Sequence, residues 1–195
     1  DVPGKVSGDT SSQVVESLRN LVSTAEREVL ISSPYFSPSE ASFQAPDGAL
    51  RRGVVCRLVT NSAASTNILA AHSVYTKYRQ RLLKSGVEVY ELQPEPALRR
   101  HHLAPVAADS EVGLHAKAMV VDRRSVFIGS YNFNKAGALL STETALVISS
   151  EALAEQVGAV IDDAMLPENS WRVELDGRGR SDKPSLVWIG SRNGR

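Results

Sequence analysis

Residues 114–134, LHAKAMVVDRRSVFIGSYNFN, gather an imidazole, an ammonium, a carboxylate, a hydroxyl and a carboxamide into one short run. His115 and Lys117 lie two apart, Asp122 follows, and Gly129, Ser130 and Asn132 close the set. The residues between them are plain strand formers. In a strand, alternate side chains share a face, so His115 and Lys117 point the same way. Ser130 and Asn132 share a parity at the end of the next strand. A hairpin delivers them to the same rim as His115 and Lys117. Asp122 stands at an odd offset from His115 and opens the turn DRRS, a favoured place for aspartate. Strand arithmetic therefore makes Asp122 structural, not a partner of His115.

A nucleophile or proton carrier, a fixed cation and two neutral donors on one rim suit a phosphate diester. Lys117 would neutralise a non-bridging oxygen. Ser130 and Asn132 would donate to the same oxygens and stabilise the charge that builds in the transition state. His115 would attack phosphorus or protonate the leaving oxygen. A neutral histidine in this work needs its second nitrogen held by an acceptor. Glu143 begins the following strand and is the best candidate to orient it. Taken singly, His-x-Lys is usually an exposed strand face and Gly-Ser-x-Asn a turn. Each fragment alone has a high false-positive rate. Their joint occurrence is what carries the chemical reading.

The surrounding pattern must position these groups. Val14, Leu18, Leu21, Val22 and Ala25 recur at helical spacing after a Ser/Thr/Asp cluster able to cap. EVLISSPYF predicts a buried strand. SPSEASFQAPDGALRRG predicts a broken helix, interrupted by Pro46 and Gly48. VVCRLVT predicts a second strand, residues 65–84 a helix stopped by Gly86, and VEVYEL a third strand. The loop 93–113, QPEPALRRHHLAPVAADSEVG, is long, Pro-rich and aperiodic, and such loops are often functional. LHAKAMVV and SVFIGS read as strands of a hairpin, and TETALVIS as another strand. Leu153, Val157, Val160, Ile161 and Ala164 mark a helix closed by Pro167. WRVEL and SLVWI are short candidate strands in the tail. Early strand–helix alternation followed by hairpins predicts an α/β domain with a mixed β-sheet. The division expected is a linker over 1–12, one domain over 13–168, and a tail over 169–195.

The composition is that of an ordinary globular protein. The chain of 195 residues has 42% hydrophobic and 23% charged residues and a formal net charge of zero. That excludes a protein held on nucleic acid by bulk charge, though not a local basic groove. Cys56 is the single cysteine, so no intrachain disulfide forms, and its apolar run predicts a buried thiol. No run of residues has the length and apolarity of a membrane span. His101 and His102 lack the neighbouring Cys, His, Asp or Glu residues of a zinc site. With Arg99 and Arg100 they form a basic loop patch, best read as solvated. The loop TNSAAST, residues 60–66, offers hydroxyls and Asn61 to cap the following helix, or to form a rim near the substrate mouth. Tyr35 either lines that mouth or packs inside. Trp171 and Trp188 are expected in the packing of the tail rather than at a membrane interface. Arg178 and Arg180 sit in a Gly-rich turn at the surface.

His115, Lys117, Asp122, Gly129, Ser130 and Asn132 fill every position of His-x-Lys-x4-Asp-x6-Gly-Ser-x-Asn, and so resemble the HKD signature of the phospholipase D superfamily. ISSPYF, VVCRLVTNSAAST, YRQRLLKSGVEVYEL and LLSTETALVI extend the resemblance. They are similar to the C-terminal half of bacterial cardiolipin synthase-like proteins, over residues 4–166. The resemblance implies a phospholipase D-like mixed sheet flanked by helices on both faces, with no metal or other cofactor. It implies two motifs facing each other. One histidine forms a phosphohistidine; the other protonates the leaving alcohol and then activates the incoming one. His115, in the second motif, would be the acid/base. Lys117 and Asn132 would bind phosphate with help from Ser130, Glu143 would hold the histidine, and Asp122 would lie outside the phosphate pocket. His72, His101 and His102 are not followed by Lys at the second position, so this sequence carries one motif. A missing N-terminal half, or a second copy of the chain, is expected to complete the site. The substrate expected is a phospholipid, with peripheral membrane contact and a cytoplasmic or inner-membrane location. A homodimeric phosphodiesterase acting on nucleic acid is the weaker alternative, and a non-catalytic interaction module the third.

Overall fold

A computed structural model of the protein describes residues 12–38, 43–97, 113–176 and 185–191. The expected linker except Ser12, the basic patch at 99–102, and Arg178 and Arg180 lie outside the described residues. The first helix, α1, spans Gln13–Ser23. Ser12 is extended and its hydroxyl accepts from the Val15 amide, satisfying one of the free donors of the first turn. The strands β1 (Glu28–Ser32), β2 (Val55–Asn61) and β3 (Glu88–Leu92) follow with helices between them.

Helix α2 spans Gln44–Arg51 and contains both Pro46 and Gly48. The expectation that these two break the helix was therefore wrong. Pro46 falls in the first turn, where backbone N–H groups have no intrahelical acceptor and a missing one costs nothing. Helix α3, Leu69–Ser85, begins at Leu69 rather than at Ser65. The hydroxyls of 62–65 cap a turn of their own instead. Ser62 Oγ accepts from the Ala64 and Ser65 amides at 3.2 and 3.1 Å. Gly86 ends α3 at φ 99°, a left-handed conformation that glycine adopts without strain.

The remaining elements are β4 (Ala118–Val121), β5 (Ser125–Gly129), a short α4 (Lys135–Leu139), β6 (Ala145–Ser149), α5 (Glu151–Met165), β7 (Ser170–Asp176) and β8 (Ser185–Ile189). All eight strands join one sheet in the order β6-β5-β4-β1-β2-β3-β7-β8. β1, β2 and β3 run parallel, and every other pairing is antiparallel. The two strands after residue 169 thus extend the same sheet past β3.

The central strands are buried on both faces, which explains their continuous apolar runs. Val29, Ile31, Leu58, Met119 and Phe127 face α1, α2 and α3, whereas Leu30, Val59, Val120 and Val126 face Ala154 and Ile161 of α5. Cys56 is buried against α1–α3, and burial lifts its thiol to about 11, so it is an inert core group. No helix among the described residues is long and apolar enough to cross a membrane.

Candidate active site

The register of β4, β5 and β6 brings the motif to one end of the sheet. Ala118 pairs with Ser32 at the C-terminal end of β1 and with Ile128 near the end of β5, and Gly129 pairs with Ala145 at the start of β6. His115 and Lys117 precede β4, Ser130 and Asn132 follow β5, and Glu143 precedes β6. All five therefore sit at the end where the parallel strands β1–β3 finish, the usual place for a site in such sheets.

The 114–117 segment is not strand, contrary to the expectation for LHAKAMVV; β4 begins at Ala118. One ladder-like bond survives, from the Gly129 amide to the Lys117 carbonyl at 3.2 Å. Side chains hold the rest. Asn61 bonds both backbone groups of Leu114, at 2.8 and 3.0 Å. Lys117 Nζ donates to the His115 carbonyl at 2.8 Å. Burial draws the Lys117 ammonium below the usual lysine range, partly offset by the nearby Glu143 carboxylate.

Glu143 is buried and accepts a hydrogen bond from Ser130 Oγ. That hydroxyl also accepts from the Thr144 amide at 3.1 Å. Ser130 Oγ is thus engaged by Glu143 and Thr144, on an exposed residue. Among the described residues, no hydrogen bond joins the His115 ring to Glu143. The carboxylate fixes Ser130 and faces Lys117 instead. A Cβ on Gly137 would lie 2.9 Å from Glu143 Oε1 and from the Tyr131 ring, so α4 packs closely over the carboxylate there. Asn132 is tied by its backbone, whose carbonyl accepts from Ser33 Oγ at 2.8 Å. Its side-chain Oδ1 is buried without a hydrogen-bond partner. Such an orphan acceptor costs about 1–3 kcal/mol; a phosphate oxygen would be met by the NH2 group of the same carboxamide.

Asp122 lies at the far end of β4. Its carboxylate accepts from the Glu26, Arg27 and Glu28 amides at 2.9, 2.8 and 2.9 Å. Asp122 and Arg123 have φ 54° and 55° in the turn that joins β4 to β5. That pair of left-handed residues matches the twist of a tight hairpin.

Gly129 is required by close approach. A Cβ there would meet the Thr144 carbonyl oxygen at 2.3 Å and Ala145 Cα at 2.7 Å. Gly129→Ala is expected to push β6 away from β5 and to destabilise the fold by about 3 kcal/mol, as overpacking does. A melting temperature equal to that of the parent chain would contradict this close contact.

Sequence reasoning did not anticipate α4, or the engagement of Ser130 by Glu143. Tyr35 is half-buried at the same end, its hydroxyl bonded to Asn67 Oδ1. Among the described residues no cluster of three His, Cys, Asp or Glu could hold a metal ion. Leu69 and Leu140, in segments flanking the motif end of the sheet, are 67% and 83% exposed. Trp188 is partly exposed and donates to Glu91 at 2.9 Å.

A family model described as cardiolipin synthase, PLD-like domain, matches residues 18–165. The chain is 34% identical to cardiolipin synthase C of Escherichia coli over 187 residues, which cover 92% of this chain and 38% of that protein. It is 30% identical to cardiolipin synthase A of Pseudomonas aeruginosa over 143 residues, covering 73% of this chain and 25% of that one. The chain therefore spans between a quarter and little more than a third of the length of the curated relatives it matches. Among solved structures, the fold is shared with Nuc from Salmonella typhimurium, a phospholipase D family member. The TM-score is 0.60 at 19% identity, covering 80% of this chain and 90% of Nuc. NucT from Helicobacter pylori matches with a TM-score of 0.59 at 17% identity, covering 87% and 94%.

Proposed function

Because the chain belongs to the family of cardiolipin synthase, PLD-like domains, within the phospholipase D superfamily, we propose that it carries one half of an active site that transfers or hydrolyses the phosphatidyl group of a phospholipid. The observation that carries this reading is the gathering of His115, Lys117, Asn132 and Glu143 at one end of three adjacent strands.

In the reaction proposed, a histidine from the other half attacks phosphorus. The new N–P bond forms as the P–O bond to the leaving alcohol breaks. His115 gives its proton to that departing oxygen and becomes neutral. It then takes the proton of the incoming alcohol or water as the new P–O bond forms and the N–P bond breaks. The Lys117 cation and the Asn132 amide group hold the non-bridging oxygens, where charge is greatest in the transition state. Glu143 acts from behind, fixing Ser130 and balancing Lys117. In this reading the exposed Leu69 and Leu140 meet the lipid, and a peripheral position on a membrane is part of the same proposal.

A second reading, a diesterase built from two copies of the chain, is supported by one observation. The matched region accounts for 90% and 94% of the Nuc and NucT chains, so a chain of that extent can carry the fold. Light scattering combined with a diester hydrolysis assay on the same sample separates the two. An active dimer supports the two-copy site. An inactive monomer that gains activity when the missing motif is supplied supports the half-site of a longer enzyme. Failure to process any diester in either form sinks the reading.

A further inference from the structure

The 114–117 segment carries the candidate acid/base, yet it lies outside the sheet ladder. Its backbone would be free to drift without other partners, and every buried peptide group must find one. Asn61, the last residue of β2, supplies them. Its Oδ1 accepts from the Leu114 amide at 2.8 Å and its Nδ2 donates to the Leu114 carbonyl at 3.0 Å. One carboxamide thus does what a strand partner would do, for the residue immediately before His115. Asn61 is 2% exposed, so water does not compete for these bonds. The fit is close on the neighbouring side as well. A Cβ on Gly113 would stand 2.7 Å from the Ser65 carbonyl oxygen, so the segment is pressed against the loop that follows Asn61.

Asn61 is itself held from behind. His72 Nδ1 lies 3.3 Å from the Asn61 carbonyl, and His72 Nε2 lies 3.3 Å from Arg79 Nη2. A guanidinium only donates, so Nε2 must accept, and the proton must sit on Nδ1, facing Asn61. Arg79 is buried and paired with buried Glu91 at 2.8 Å. Glu91 is fixed in turn by the Tyr75 hydroxyl at 3.0 Å and by Trp188 Nε1 at 2.9 Å. Each member of the series has its partner dictated by chemistry, and the series ends at the backbone of Leu114.

We infer that Asn61 is the positioning residue for His115, with His72, Arg79 and Glu91 holding its backbone carbonyl and so the residue that carries the carboxamide. The inference rests on the proposed role of His115 in proton transfer. It is not a claim that Asn61 touches substrate. A displacement of about 1 Å at a proton-transfer group costs on the order of 100-fold in rate, while substrate binding through Lys117 and Asn132 is untouched.

The test uses the active assembly, as a dimer or with its second half. Asn61→Ala is expected to lower kcat by about 100-fold with KM within about threefold. His72→Leu leaves the two bonds to Leu114 in place but releases Asn61, and is expected to lower kcat by about tenfold. It also carries the test if Asn61→Ala fails to fold. A purely structural role would lower the yield of folded enzyme and leave kcat per folded site unchanged, and that outcome would overturn the inference. A wild-type assembly that turns over no diester would mark failure of the reaction itself. The inference is then decided by amide hydrogen exchange in the chain alone. Exchange at the Leu114 amide is expected to rise by about 100-fold in Asn61→Ala, with protection in β1–β3 retained. Unchanged exchange at that amide would overturn it.

Discussion

His115→Ala is expected to lower turnover of an alkyl phosphodiester by about a thousandfold in the complete enzyme, within the range of a lost general acid. The size of the loss alone does not separate an acid/base from a nucleophile. The leaving group does. An alkoxide is a poor leaving group and needs the proton that His115 supplies. A nitrophenolate departs without one. If His115 is the acid/base, the first step of His115→Ala on a nitrophenyl diester should fall by no more than about tenfold. The phosphohistidine formed on the opposite histidine should then persist, because nothing remains to activate the incoming water. A burst of nitrophenol equal to one site, followed by a stalled enzyme, is the expected record. Equal loss on both esters, without a burst, would assign His115 the nucleophilic role instead. A variant with wild-type turnover on both would remove it from the reaction.

The common location of these groups was legible because the antiparallel order of hairpin strands fixes which strand ends meet. That order brings 115, 117, 130, 132 and 143 to one end of the sheet and sends Asp122 to the other, where the structure has them. What it does not reach is how side chains share partners. Ser130 has the right position for a phosphate donor, yet its hydroxyl is engaged by Glu143 and Thr144. Spacing gives a residue its address and says nothing of which neighbour takes its hydrogen. The start of β4 was overestimated for a related reason. LHAKAMVV has strand composition throughout, but the backbone of Leu114 found Asn61 instead of a strand. The signal for Asn61 was present in TNSAAST, a polar loop at the end of a parallel strand. The expectation there is a helix cap or a rim of the substrate mouth, and neither names a backbone clamp, because capping residues and loop clamps use the same short polar side chains. Pro46 misled in the opposite direction: a proline breaks a helix only beyond its first turn.

Asp122→Asn should cost stability and leave turnover intact. The Asp122 side chain is in a residue 5% exposed and collects three backbone N–H groups, from Glu26, Arg27 and Glu28. An asparagine can offer one oxygen to two of those donors. Its NH2 group then faces the third, donor against donor. Leaving one buried amide unsatisfied costs about 1–3 kcal/mol, which in a domain of this size corresponds to roughly 2–12 °C in Tm. The effect should also depend on pH in a definite sense. Burial alone would raise the Asp122 carboxyl. The three amide donors and the Arg27 charge outweigh it and hold the group below the usual aspartate value. A carboxylate whose folded value is depressed stabilises the fold fully above its unfolded value, about 3.9. That contribution is lost as pH falls through the folded value. The gap in stability between the parent chain and Asp122→Asn should therefore be constant through neutral pH and shrink only in strong acid. Urea titrations of both proteins across that range measure it. A gap that opened on acidification would mean the native carboxyl is protonated more readily than in the unfolded chain, which three amide donors forbid. Far below its melting temperature, folded Asp122→Asn should turn over diester at the parent rate. A folded, stable variant that had lost turnover would place Asp122 in the chemistry, despite its position at the opposite end of β4 from His115.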